Sequence, residues 1–190
     1  MSNKERIQAK VTEMKTLVSH MNEALKIGKN LSSFSTYSCQ PKTNKELDDI
    51  IKSRIDRDGP KCDLNDIDVS MITDMSWLFN ESEFKGDISR WDVSNVENMN
   101  RAFYKSKFNG DISKWNVSNV KYMWSVFSES VFNQDISKWN TSKVIDMSYM
   151  FADSEFNQDI SNWKIREDCN TPGMFADCPI KEEHKPELPR

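Results

Sequence analysis

Two histidines, His20 and His184, and four cysteines, Cys39, Cys62, Cys169 and Cys178, are the side chains best suited to proton transfer, nucleophilic attack or metal binding. Neither histidine sits with a carboxylate or a cysteine in a recognisable motif, and acid–base or nucleophilic chemistry needs such partners within hydrogen-bond reach. The cysteines form no C-x-x-C pair and have no adjacent histidine, so free thiols are expected rather than a metal or redox site. Asp87, Asp111, Asp135 and Asp159 recur every 24 residues, with Asp63 in the equivalent earlier place. Such a ladder could bind cations, but calcium takes about six to eight oxygen ligands and the glycine-rich loops of calcium-binding repeats are absent. The aspartates are better read as acceptors for their own turns. The chemistry-bearing residues therefore predict a protein that is not an enzyme and carries no metal or cofactor.

The aspartates belong to a wider periodicity. Trp91, Trp115, Trp139 and Trp163 are 24 residues apart, as are Phe84, Phe108, Phe132 and Phe156. A second phenylalanine series runs Phe79, Phe103, Phe127, Phe151 and Phe175, and Met75, Met99, Met123 and Met147 keep the same interval. In the unit beginning at Phe108, Ile112, Trp115 and Val117 alternate as in a short strand, with Trp115 and Val117 inward. Val120, Met123 and Phe127 follow at helical intervals, predicting about one and a half helical turns. A repeat this short cannot bury its own apolar edge, so neighbours must stack into one core. The expectation is an α/β leucine-rich-repeat-like solenoid of five 24-residue coils over residues 64–180.

The stretches "FNGDISKWNVSNVKYMWSVF", "FNQDISKWNTSKVIDMSYMF" and the closing "MFADC" resemble the BspA-like leucine-rich-repeat family of bacterial surface proteins. The resemblance implies a solenoid used for protein binding, often for adhesion, with no catalytic residue to carry over.

Both ends of the repeat array are edited. Thr43-Asn44-Lys45-Glu46 reads as a capping box, with Leu47, Ile50, Ile51 and Ile55 on one face of a helix that Asp58-Gly59-Pro60 ends. This helix, within a linker-and-cap segment at 29–63, is predicted to cover the first coil. Pro172 and Pro179 are expected to stop further stacking, and residues 181–190 to form a disordered tail. Residues 1–28 are expected to form a separate amphipathic helix, started by a capping box of Ser2 and Glu5 and stopped by Gly28. Ile7, Val11, Met14, Val18, Met21 and Leu25 are spaced alternately four and three apart, a heptad seam suited to self-association as a homodimer or to docking on another helix.

The outward slots differ between coils and mark candidate partner-binding residues. Arg90, Lys114 and Lys138 fill one slot, expected on a concave sheet where they would repel one another unless a partner supplied acidic groups. Tyr122 and Trp124 replace residues that are polar in the other coils, and Tyr104 extends the patch. Exposed aromatics of this kind anchor protein interfaces. The expected function is a protein–protein interaction module: an adaptor, regulator or inhibitor of bacterial or phage type. A surface adhesin and a nucleic-acid accessory protein using the basic row are the alternatives.

Bulk properties agree with a binding module. The 190 residues carry a net charge of −4, against a general nucleic-acid coat. Residues 1–30 carry six basic and three acidic side chains, a balance of +3, whereas residues 64–180 carry eleven and eighteen, a balance of −7. Mean hydropathy is −0.73, and no apolar run approaches the ~18 residues of a membrane span. No secretory leader is legible after Met1, so a cytoplasmic location is expected, with the cell surface as the alternative.

Overall fold

The computed structural model describes residues 37–189, together with Lys15. The seam residues Ile7, Val11, Met14, Val18, Met21 and Leu25 lie outside the described residues.

The first element is the helix α1, Asn44–Asp58. Its start follows from the cap: the Thr43 side chain accepts from the Glu46 N–H, and the Glu46 carboxylate accepts from the Lys42 N–H at 2.8 Å. Gly59 ends it at φ 85°, donating its N–H to the Ile55 carbonyl. Leu47 and Ile51 are buried, and Arg54 ties the helix to the next segment by donating to both carboxylate oxygens of Asp66 and to the Asp63 carbonyl.

Beyond α1 the backbone differs from the predicted strand and short helix. Between residues 64 and 180 there is neither a regular strand nor an α-helix; turns are joined by single parallel bridges, such as Asp74–Asn98, Asn98–Tyr122, Tyr122–Asp146 and Asp146–Asn170. Ile112, Trp115 and Val117 do face inward, but Trp115 closes a turn by donating to the Ile112 carbonyl. In the segment read as helical, Ser125 and Glu129 have positive φ, 51° and 55°, which no right-handed helix admits.

The reason lies in where the N–H groups go. In each unit, alternate N–H groups close local turns, as Leu78, Asn80 and Ser82 do to the carbonyls of Met75, Trp77 and Phe79. The N–H groups of Met75, Trp77, Phe79 and Glu81 instead bond the carbonyls of Asn98, Asn100, Ala102 and Tyr104 in the next unit. The same pattern of four bonds recurs from Met99, Met123 and Met147. An α-helix would consume all these donors internally and leave none to hold the units together. Two left-handed columns make the alternation possible: Trp77, Arg101, Ser125, Tyr149 and Gly173, then Glu81, Lys105, Glu129, Asp153 and Asp177.

Core side chains stack in the same register. Phe79, Phe103, Phe127, Phe151 and Phe175 follow one another at centroid separations of 5.3, 5.5, 5.8 and 5.8 Å. Each core tryptophan buries its ring and satisfies its indole N–H on the preceding unit: Trp91 on Leu64, Trp115 on Ile88, Trp139 on Ile112 and Trp163 on Ile136. That donation explains why tryptophan, and not leucine, holds this slot.

The tail expected to be disordered belongs to the fold up to residue 189. Glu182–His184 form a 3-10 turn, the Ile160 N–H donates to the His184 carbonyl, and Ile180 and Pro186 are buried. The last unit has no successor, and this segment shields its apolar edge, with the Lys185 ammonium 5.6 Å from the Phe175 ring.

Glycine is required at one junction. A Cβ on Gly86 would lie 1.9 Å from the Cys62 carbonyl oxygen, where the chain leaving α1 presses on the repeat. The equivalent slots further on hold Gly110, Gln134 and Gln158. Gly86→Gln should therefore destabilise the protein by about 2–4 kcal/mol, and Gly110→Gln by about 1 kcal/mol or less. Urea denaturation midpoints of the two variants check this; equal losses would contradict it.

Candidate protein-binding surface

The basic row does not lie on a concave sheet, because the described residues contain no such sheet. Arg90, Lys114 and Lys138 are exposed and follow tight turns headed by aspartate. Asp87, Asp111, Asp135 and Asp159 each accept the main-chain N–H of the serine two residues on, at 2.8 to 3.0 Å, and Asp63 does the same for Asn65. The serine N–H and hydroxyl hold these four carboxyls below the ordinary value of 3.8, and Arg90, Lys114 and Lys138 lower the first three further. Arg90 also lies 4.0 Å from the Asp63 carboxylate, whereas Lys114 and Lys138 form no ion pair among the described residues.

The aromatic patch is assembled differently from its sequence reading. Trp124 and Tyr104 converge on a residue the sequence left unmarked, Arg101. The Arg101 guanidinium carbon lies 4.3 Å from the Trp124 ring centroid, 4.6 Å from that of Tyr104 and 4.6 Å from that of Trp77. Arg101 Nε is buried with no hydrogen-bond partner. Tyr104 is itself fixed, its hydroxyl donating to Glu129 at 2.6 Å while Lys105 pairs with the other Glu129 oxygen at 3.3 Å. Tyr104 and then Lys105 hold the Glu129 carboxyl below its ordinary value. Tyr122 stands apart at a bridge position, exposed, with no part in the cluster.

Backbone explains why these side chains meet. Trp77, Arg101, Ser125 and Tyr149 share the first left-handed column one unit apart; Trp77 and Tyr149 are exposed and Ser125 is buried. Units spaced like paired strands, ~4.8 Å, place Trp77 and Tyr149 roughly 14 Å apart along this edge. Both rings are 48% exposed, unusual for large aromatics away from an interface. Tyr149 lies over Gly173, where an added Cβ would come within 2.5 Å of its ring. The sequence signal for Trp77, Arg101 and Tyr149 was present: chemically unlike residues at one repeat position. Helical spacing at that position conceals it, because a helix would not bring these side chains to one edge.

Other chemistry is limited. Among the described residues no group of three or more His, Cys, Asp or Glu is arranged to hold a metal ion, and no helix is long and apolar enough to cross a membrane. The four cysteines are unbonded, and burial pushes the Cys169 thiol up to about 11.

The chain matches the model of a family described as "Mycoplasma protein of unknown function, DUF285" over residues 53–131 and 123–183. No curated protein and no solved structure matches it.

The turn aspartates generate a pH prediction. Because folding lowers their pKa, the stability they contribute is complete above the unfolded value near 4 and is lost as pH falls through the folded values. The thermal midpoint should hold from pH 7 to about 5 and fall steadily below pH 4. Asp111→Asn, which keeps the acceptor but cannot titrate, should flatten part of this slope, whereas Asp111→Ala should destabilise at every pH. Melting curves at pH 3, 5 and 7 decide the matter.

Proposed function

The chain belongs to this DUF285 family, whose description assigns no activity, and we propose that it is a non-catalytic module binding another protein through its repeat surface. In this reading the five units form a leucine-rich-repeat-like solenoid related to the BspA-like proteins, and the side chains that differ between units choose the partner. One observation carries the proposal: Arg101 is framed by Trp77, Tyr104 and Trp124, with its Nε buried and without an acceptor. Tryptophan, tyrosine and arginine dominate the energetics of protein interfaces. A buried donor without an acceptor is costly until a partner supplies one. The complementary group is a carboxylate or a main-chain carbonyl seated on the guanidinium, its neighbours covering the three rings.

The acidic balance of residues 64–180, −7, supports a protein partner better than nucleic acid. The heptad seam of residues 1–28 supplies self-association or a second docking point.

Affinity capture of the full chain from its native cell, read by quantitative mass spectrometry, tests the surface. Trp124→Ala and Arg101→Gln should each lower recovery of the specific partner at least tenfold, corresponding to interface losses of about 1.4 kcal/mol or more. Ser148→Ala, at the slot equivalent to Trp124 in the following unit, should change recovery less than twofold, since its hydroxyl bonds only Asp146 of its own unit. Equal behaviour of Trp124→Ala and Ser148→Ala would remove this surface from the interface. Light scattering should show a dimer that becomes a monomer when residues 1–29 are deleted.

A further inference from the structure

The first repeat unit has no preceding unit, and its leading edge is only partly covered. In later units the carbonyls at the four corresponding positions accept N–H groups from the unit before: Asn98 from Met75, Asn100 from Trp77, Ala102 from Phe79 and Tyr104 from Glu81. The equivalents in the first unit are Asp74, Ser76, Leu78 and Asn80. Helix α1 serves two of them, since the Asn44 side-chain amide donates to the carbonyls of Asp74 and Ser76 at 3.2 and 3.0 Å. Among the described residues nothing donates to the carbonyls of Leu78 and Asn80. Asn80 Oδ1 is likewise buried without a partner.

These acceptors border a cavity of about 470 Å³ between α1 and the first unit, lined by Asp48, Ile51, Lys52, Ile55, Asp56, Ser76, Trp77, Leu78 and Asn80 among others. Ile51, Ile55 and Leu78 supply apolar wall. Trp77, whose ring Arg101 approaches at 4.6 Å, also lines this cavity. Three charged groups line it. Asp48 is paired with Lys52 at 2.7 Å, and Asp56 has no ion pair among the described residues, so the lining carries one net negative charge. Unfilled acceptors, a free carboxylate, an aromatic ring and an apolar wall together match a cation rich in N–H donors on an apolar stem.

We propose that this cavity receives a basic side chain, arginine above lysine, of a polypeptide partner. The guanidinium carries five donors in one plane and stacks on aromatic rings, which suits the open carbonyls and Trp77; an ammonium offers three donors and stacks less well. This inference rests on the reading that the partner is a protein, and it adds the chemistry of a second contact. Trp77 stands between two sites of opposite preference, Arg101 for an acceptor and the cavity for a cation.

The test uses the full chain, titrated with acetyl-Gly-Arg-Gly-amide and with its citrulline counterpart, which keeps the shape and loses the charge. The probe signal is the indole N–H resonance of Trp77, assigned with Trp77→Phe. The arginine peptide should shift that resonance saturably, and the citrulline peptide should bind at least roughly fivefold more weakly. Asp56→Asn should weaken the arginine peptide by roughly fivefold, and Lys52→Gln should tighten it by roughly twofold. Both residues are exposed on α1, so neither variant threatens the fold. Equal binding of the two peptides, or charge variants that act in the reverse direction, would overturn the proposal. Spermidine displacing the peptide at lower concentration than the peptide itself binds would overturn it in favour of a polyamine. Trp124→Ala should leave the peptide affinity within about twofold, since Trp124 does not line the cavity. Failure of partner capture with intact peptide binding, or the converse, therefore separates the two readings.

Discussion

The division of main-chain donors between a unit and its successor is the constraint from which the rest of the structure follows. Each 24-residue unit has to close its own turns and also bond its neighbour, and alternating N–H groups do both. That alternation requires two residues per unit in the left-handed region, most of them not glycine. Each such residue costs on the order of 1–2 kcal/mol when considered alone. The cost is met collectively, because every left-handed residue that has a following unit donates its N–H to it. Core side chains repeat the arrangement: the tryptophan indoles bond the unit before, and the phenylalanine rings stack on their equivalents. Stability is thus carried by junctions between units rather than within any one of them.

Ends follow from the same constraint, with opposite solutions. The leading edge exposes carbonyl acceptors, so its cover must bring donors, and α1 brings the amide of Asn44. Arg54 strengthens the joint by reaching Asp66 and the Asp63 carbonyl from the far end of the helix. The trailing edge is met by a short segment in which Pro186 is buried and His184 contributes one carbonyl to the Ile160 N–H. The leading cover leaves part of the acceptor row unserved, and the cavity lies where that row is open.

Much of this was legible in the sequence, and the illegible part has one cause. The register, the inward residues Ile112, Trp115 and Val117, the capping helix and the role of the aspartates all follow from residue type and spacing. Conformation within the unit does not. Val120, Met123 and Phe127 fall at intervals of three and four in a helix and equally in a run of consecutive turns, since both bring every third or fourth residue to one face. Glycine would have betrayed the left-handed positions, but in four of five units they hold Trp77, Arg101, Ser125 and Tyr149. Reading a helix there hid Arg101, whose neighbours in space, Trp77 and Trp124, lie 24 and 23 residues away in sequence. It also placed the basic row on a sheet face that the turns never form.

The same geometry accounts for where recognition residues can reside. A left-handed position of this kind is restricted in backbone more than in side chain, since its N–H is committed to the next unit while one column holds Trp77, Arg101, Ser125 and Tyr149. Core slots have the opposite character: Phe127 cannot vary without breaking a stack on both sides. Variation is therefore confined to outward columns, and within them the lattice fixes where each side chain starts. Arg101 shows the consequence. Its guanidinium is held among three rings by positions set two junctions apart, so the proposed docking of a partner would cost little further rotamer entropy. A rigid lattice that leaves its outer columns chemically free can acquire a binding site by substitution alone, without any change in the fold that presents it.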